Sequence, residues 1–253
     1  MSLERNLAVL IAGASVADGC RIRFRGELAL SLYPDLLTVH ILNLSDRGYH
    51  LIRQEGSISV LCGASLLASG AVRDVSRETR PEGVWTVIGF SLGLDLWEAP
   101  VSLAVPAGSP VSATVERLLS ASGTPWKLLS FPGPDPGYPR PQAFFSRAAD
   151  AIETALTAAR AWACLVPSGL VVVPEKPENT EVRLSESDLA DAPVFTADCM
   201  VLTTIMAGWP IGRRLQLTCG GKTTHGVIVK QRFDADTGSG PWKTEIIAEV
   251  LHD

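Results

Sequence analysis

The string Gly89-Phe90-Ser91-Leu92-Gly93 is a G-x-S-x-G sequence that follows an apolar run. A serine between two glycines is typical of the nucleophile elbow of α/β-hydrolases, where a strand turns sharply into a helix. Asp198 and His225 follow in the order that such a triad uses. However, Pro100 would interrupt the required helix, and the preceding region has the pattern of strands. We therefore keep a serine hydrolase using Ser91 as the alternative function and interpret the glycines as a strand end.

Two other strings have partial patterns of ligand sites. Gly220-Gly221-Lys222-Thr223 resembles the end of a phosphate loop, but the first glycine is absent and a strand follows, so we predict a hairpin turn. Asp234, Asp236 and Gly238 lack the glutamate of a calcium loop, so we predict a solvated turn.

The histidines are scattered along the chain, and Cys219 with His225 supplies only two of the three or four ligands that zinc needs. We expect His40 on the outer face of a strand, His225 at the tip of a turn and His252 in the tail. No catalytic residue, cofactor or metal site is predicted.

Composition excludes several classes of protein. The 253 residues include 22 Lys+Arg and 27 Asp+Glu, and the net charge of -5 argues against a protein that binds nucleic acid through a basic surface. The five cysteines form no close pair, which argues against a disulfide scaffold or a metal knuckle and favours reduced thiols. The apolar runs are too short to span a membrane.

The first part of the chain has short apolar runs separated by turn residues, which is typical of an antiparallel sandwich or barrel. Ser45 is placed to cap a short helix that ends at Gly56. The predicted strands are Leu7–Ile11, Cys20–Phe24, Glu27–Leu32, Leu37–Leu42, Ser57–Cys62, Leu66–Val75 and Val84–Leu92.

The middle of the chain has helical periodicity. Ser109 and Pro110 fit the cap and first turn of a helix that Gly123 ends. Residues 131–141 hold five of the 17 prolines and form an ordered loop or a linker. A hairpin is predicted at Pro167-Ser168-Gly169. Between the proline-rich residues 131–141 and this hairpin, a second helical stripe consists of Phe145, Ala148, Ala149, Ile152, Ala155, Leu156 and Ala159.

Alternation of apolar and polar residues returns near the end of the chain, at Leu215–Cys219 and Trp242–Val250. We predict a mainly β fold with an α+β middle, in which two antiparallel barrel-like domains are joined by a small region of helices and a hairpin. The predicted segments are 1–108, 109–176 and 177–253.

Several strings together resemble a known family. They are "VHILNLS", "DRGYHLIRQEG", "SISVLCG", "LLASGAVRDVS" and "VWTVIGF", then "SATVERLLSASG" and "RPQAFFSRAADAIETALTAARAWACLVPSGLVVVPEK", and finally "GWPIGRRLQL" and "HGVIVKQRFDADTGSGPWKTEIIAEVL". This order is similar to that of the central hub proteins of phage tail baseplates, in the Mu-like and related tailed-phage family. The chain is shorter than typical hubs, and residues 174–195 have no clear counterpart in them.

The resemblance implies a non-enzymatic structural subunit. Three copies, each with two tube-type domains, would form a pseudo-sixfold ring between the hexameric tail tube and the trimeric spike, with a channel for DNA. Tube and spike proteins are the implied partners, with tape-measure and baseplate wedge proteins as further candidates. The implied location is the virion tail, after assembly in the host cytoplasm. A net negative charge would suit a channel to which DNA must not bind.

Three residues are candidates for subunit interfaces. Trp209 and Trp242 are large aromatics in a chain with few of them, and such residues are enriched at interface centres. Leu44 lies beside the predicted cap of the short helix. Core packing is the alternative for all three. A binding protein of two barrels, unrelated to phage tails, is a further alternative to the hub.

Overall fold

The computed structural model describes residues 5–175, 177 and 181–251. The first part contains β1 (Leu7–Ile11), β2 (Ala14–Ser15), β3 (Ile22–Ala29), β4 (Leu37–Leu42), α1 (Asp46–Glu55), β5 (Ser57–Cys62), β6 (Ser65–Arg80) and β7 (Gly83–Ser91). The middle contains α2 (Leu94–Glu98), β8 (Pro100–Val105), α3 (Val111–Ser122), β9 (Leu128–Ser130), β10 (Gln142–Arg147), α4 (Ala148–Thr157), β11 (Ala161–Val166) and β12 (Gly169–Pro174). The last part contains β13 (Glu181–Ser185), a 3-10 turn (Glu186–Asp188), β14 (Val194–Phe195), β15 (Cys199–Ile205), β16 (Arg214–Cys219), β17 (Lys222–Asp236) and β18 (Trp242–Val250). The predicted mainly β fold with a helical middle is confirmed.

The chain divides into two compact units. The first unit combines residues 1–29, 35–91 and 179–253, and the second combines residues 30–34 and 92–178. The two ends of the sequence therefore fold together. Strand β8, which the predicted segment 1–108 includes, pairs with β10 in the second unit. The three predicted segments stay a prediction about folding domains.

A single large sheet forms the first unit. Its strand order is β14-β15-β18-β17-β3-β4-β7-β6-β5-β1-β2, with β13 and β16 attached through β17. The length of β17 explains this continuity, because its first half pairs with β16 and its second half pairs with β3. The sheet is antiparallel, as predicted, except that the pairing of β13 with β16 is parallel.

Helix α1 forms where the sequence predicts it. The Ser45 hydroxyl accepts a hydrogen bond from the Gly48 N–H at 3.1 Å, and Gly56 ends the helix with a φ of 65°. Ile52 is fully buried in the core of the first unit. Both signals are local in sequence, which is why the helix could be predicted.

The second unit packs helices α3 and α4 against a ribbon of β8 and β10 and a sheet of β9, β11 and β12. The predicted hairpin joins β11 and β12. Residues 131–141 form an ordered loop rather than a linker, because Asp135 accepts hydrogen bonds from the N–H (2.9 Å) and the hydroxyl (2.5 Å) of Ser112. The predicted cap by Ser109 is therefore wrong, since Pro110 is the cap residue and Asp135 binds the first turn.

The second predicted helical stripe is confirmed from Ala148 to Leu156, all of whose apolar members are buried. Two members of the predicted stripe differ: Phe145 lies in β10 and is exposed, and Ala159 lies in the turn after α4. None of the helices in the described part of the chain is long and apolar enough to cross a bilayer.

Candidate assembly surface

Ser91 is not placed to act as a nucleophile. It is the last residue of β7 and is only 1% exposed, and helix α2, which follows, has five residues. Strands β3 and β4 lie between β7 and β17, the strand that carries His225. A nucleophile and its base must lie within hydrogen-bond distance of each other, and the two strands between Ser91 and His225 keep them apart.

The structure also places the other residues that partly resemble ligand sites. Gly220 and Gly221 form the predicted hairpin turn between β16 and β17, with φ values of 56° and 74°. The prediction that His225 tips this turn is wrong, because it lies within β17 opposite Gln216. His252 lies outside the described residues. Among the described residues, no three His, Cys, Asp or Glu side chains are grouped to hold a metal ion.

A row of charged side chains crosses the outward surface of the large sheet. Arg23, Arg25 and Glu27 alternate along β3 with the buried or half-buried residues of the opposite face. Strand β17 places further charged residues directly beside them (Lys230, Arg232, Asp234, Asp236), and β18, on the other side of β17, adds Lys243 and Glu245. We call these residues, together with His40, Arg21 and Trp85, the polar face.

Asp236 is the most buried carboxylate of the polar face, so the prediction of a solvated turn is wrong. It is 4% exposed and accepts two hydrogen bonds from Arg21, at 2.8 and 2.7 Å, and one from Arg23 at 2.9 Å. The hydrogen bonds from Arg21 hold the pKa of Asp236 well below its usual range, against the opposing effect of burial. Asp236 therefore stays ionised and fixes both arginines.

Trp85 gives these arginines a flat surface. It is fully buried, and the Arg23 guanidinium lies 4.4 Å from its ring centroid. The indole N–H donates to Glu82 at 3.0 Å. The imidazole of His40 meets the same ring edge-on, and burial lowers its pKa, as does the nearby charge of Arg80. His40 thus lies on the outer face of β4, as predicted, in a half-buried position.

A second ion cluster continues the polar face towards β18. Glu27 accepts from Lys230 and Arg232, both at 2.6 Å, and Arg232 also binds Glu245 at 2.9 Å. Burial raises the pKa of Glu27, but the hydrogen bonds from Arg232 and Lys230 outweigh it and the net shift is downward. Arg25 binds Asp234 at 2.9 Å. The three basic side chains of this cluster are matched by three carboxylates, whereas the whole polar face has six basic residues and four carboxylates.

The sheet of the first unit has open ends. Within the described residues, β14 and β2 are its terminal strands, and each has two residues. Among the strands that the structure describes, residues 73–80 of β6 pair only with β7, because β5 ends its pairing at Ala71. Unpaired strand edges are sites where another strand can add.

The three predicted interface residues have packing partners in their own chain. Leu44 is 7% exposed and belongs to the same core as Ile52, and Trp242 packs partly buried against that core. The Trp209 backbone N–H donates to Gln231 at 2.9 Å, and its indole N–H donates to Thr204 at 3.1 Å. A role in subunit contacts stays a prediction for each of them.

Three other apolar residues are exposed, which the sequence analysis did not predict. Phe145 is 73% exposed, Val194 58% and Phe195 49%. The position of Phe145 fits the spacing of the predicted helical stripe, so a buried position was expected for it. Val194 and Phe195 follow Pro193 in a segment without basic residues, and this combination is the signal that could have identified them.

Solved structures of tail proteins are similar to the structure of this chain. No protein-family model and no curated protein sequence matches it. A tail protein from Neisseria meningitidis MC58 has a similar structure, with a TM-score of 0.68 and 11% identity, covering 96% of this chain and 95% of that one. The 43 kDa tail protein of prophage MuSo2 from Shewanella oneidensis has a TM-score of 0.64 and 11% identity, covering 97% of each chain.

The chain has the fold of phage tail proteins. The predicted resemblance is thereby confirmed at the level of fold, as a likeness to tail proteins. A similar structure, with a TM-score of 0.64, 8% identity and coverage of 97% of this chain and 77% of that one, belongs to a component of the type VI secretion system of E. coli. This tail-protein fold thus extends over nearly the whole chain, including both units.

Proposed function

We propose that the chain is a structural subunit of a phage tail baseplate hub. Three copies would form a ring that joins the hexameric tail tube to the trimeric spike and leaves a channel for DNA. Its partners would be further copies of itself, the tube protein and the spike protein, with tape-measure and wedge proteins as additional contacts. It would assemble in the host cytoplasm and remain in the virion tail.

The observation that carries this proposal is the similarity to tail proteins over nearly the whole of both chains. Coverage of 96% and 95% means that no large part of either fold lacks a counterpart in the other. The burial of Ser91 at the end of β7 also disfavours the alternative of a serine hydrolase.

The open ends of the sheet support association into a ring. Its two terminal strands, β14 and β2, differ in sequence, so a contact of either strand with another part of a second copy joins two different surfaces. A contact between two different surfaces is heterologous, and such contacts close into a ring when the rotation between copies permits it. Pairing at the ends would also cover strand edges that are otherwise open to aggregation.

The polar face supports a channel that does not retain DNA. A protein binds DNA non-specifically through cations that release counterions from phosphates. On this face, five of the six basic residues are bound to a carboxylate, namely Arg21, Arg23, Arg25, Lys230 and Arg232, and Lys243 alone forms no ion pair with a described residue. We therefore place the polar face towards the channel.

Co-expression with the tube and spike proteins tests the proposed function. We expect a complex in which this chain contributes three times its 27.0 kDa mass, measured by native mass spectrometry. Tube protein and spike protein, each expressed without the other, should each retain the chain through affinity purification. A chain that binds neither protein and stays monomeric would contradict the proposal.

A further inference from the structure

The ribbon of β8 and β10 has an uncovered face in the second unit. Phe145 pairs with Ser102 across the ribbon, and Ala143 pairs with Ala104. These residues are exposed, whereas Phe144 on the alternate face is buried in the core. Within the described residues each strand pairs only with the other, so neither outer edge is paired with a further strand. A phenylalanine that is 73% exposed on an open ribbon favours cover by a partner.

Three arginines surround this ribbon. Arg140 precedes β10, Arg147 ends it and lies 4.7 Å from the ring centroid of Trp97, and Arg117 donates to the Ala104 carbonyl at 3.3 Å. Within the described part of the chain none of the three is ion-paired, in contrast to the arginines of the polar face. The ribbon therefore combines apolar surface with positive charge that has no carboxylate partner.

A segment of the first unit has the complementary character. Residues 186–198 contain four carboxylates and no lysine or arginine. Asp188 caps the local 3-10 turn, but Glu186, Asp191 and Asp198 form no ion pair with any described residue. The same segment exposes Val194 and Phe195, which form the terminal strand β14.

We propose that residues 186–198 of one copy dock on the β8–β10 ribbon of a second copy. This inference rests on the proposed function, because it needs an oligomer of the chain. Val194 and Phe195 would cover Phe145, and the three carboxylates would face the arginines that border it. Apolar anchors bordered by charges of opposite sign are the usual anatomy of a specific interface. Because the two surfaces differ, the contact is heterologous and can repeat from copy to copy around a ring.

A photo-crosslinker at position 145 tests the contact directly. Phe145 is replaced by benzoylphenylalanine in the full chain, isotope-labelled and unlabelled copies are mixed, and the assembled oligomer is irradiated. We expect crosslinks between a labelled and an unlabelled copy, with the crosslinked peptide within residues 186–198. The same crosslinker at Ser120, exposed on α3, serves as the control and should give no crosslink to this segment.

The outcomes separate this inference from the proposed function. If the chain assembles but position 145 crosslinks elsewhere, within its own chain or not at all, the docking proposal is wrong while the hub can stand. If no oligomer forms with or without tube and spike proteins, both proposals are contradicted.

Charge reversal gives an independent readout. Arg140→Glu with Arg147→Glu should raise the dissociation constant between copies by about tenfold or more. Adding Glu186→Lys and Asp191→Lys to the same chain should restore it, because the charges are then exchanged across the contact. The matched control is Arg53→Glu with Arg73→Glu, both exposed in the first unit. An unchanged dissociation constant, or the absence of restoration, would overturn the proposal.

Discussion

Among individual residues, Asp236 illustrates how a buried carboxylate organises its neighbours. It binds Arg21, Arg23 and the Gly238 N–H at once. We expect Asp236→Asn to lower the free energy of unfolding by about 2 kcal/mol or more, because it leaves two partly buried guanidinium groups unpaired. Urea unfolding measures this. The control is Asp46→Asn, since Asp46 is 82% exposed and its pair with Arg77 should contribute less than about 1 kcal/mol. If both substitutions lowered the free energy of unfolding equally, the stabilising role of Asp236 would be contradicted.

Asp35 predicts a pH dependence. Burial raises the pKa of its carboxyl from 3.8 to about 7, although the Ala29 N–H opposes this by donating to it at 3.2 Å. The folded state therefore binds a proton more readily than the unfolded state between these values, so this group's contribution to stability falls as pH rises from about 4 to 7. Asp35→Asn should be more stable than the wild type at pH 8 by about 1 kcal/mol, after discounting for partial exposure, and equal to it near pH 4. Parallel pH profiles in chemical denaturation would contradict the assignment.

Among the elements, helix α3 depends on a loop that is distant in sequence. Asp135 binds both the N–H and the hydroxyl of Ser112 in the first turn. Asp135→Ala should lower stability by about 1 kcal/mol, as the loss of a helix cap does, and should speed amide exchange in that turn. Glu116→Ala, exposed on the same helix, is the control and should leave exchange unchanged. Unaltered exchange in Asp135→Ala would show that the loop does not hold the helix.

Elements with local signals could be predicted from the sequence, and those that depend on distant partners could not. Strands β1, β4 and β5 have the predicted bounds because alternation and flanking turns specify them. The cap of α3 was misassigned because Asp135 lies 23 residues from Ser112. The burial of Asp236 could not be predicted, because Arg21 and Arg23 lie more than 200 residues away in sequence and meet it only through the pairing of β3 with β17.

For the whole molecule, charge pairing predicts weak retention of DNA. Asp234→Asn with Glu245→Gln leaves Arg25 without its carboxylate and removes one of the two that bind Arg232, so the assembled protein should bind duplex DNA more tightly and with a steeper salt dependence. Glu55→Gln with Glu116→Gln changes the net charge equally at exposed positions elsewhere and should have a smaller effect. Fluorescence anisotropy at several salt concentrations measures both. Tight binding by the wild type would contradict the placement of the polar face in the channel.

The central claim concerns the place of the chain in a tail. A reconstruction of the tail particle that contains this chain measures its copy number and position directly. We predict three copies in a ring between the tube and the spike, with the polar face towards the axis. Six copies, a position on the outside of the baseplate, or the absence of the chain from the particle would contradict the account.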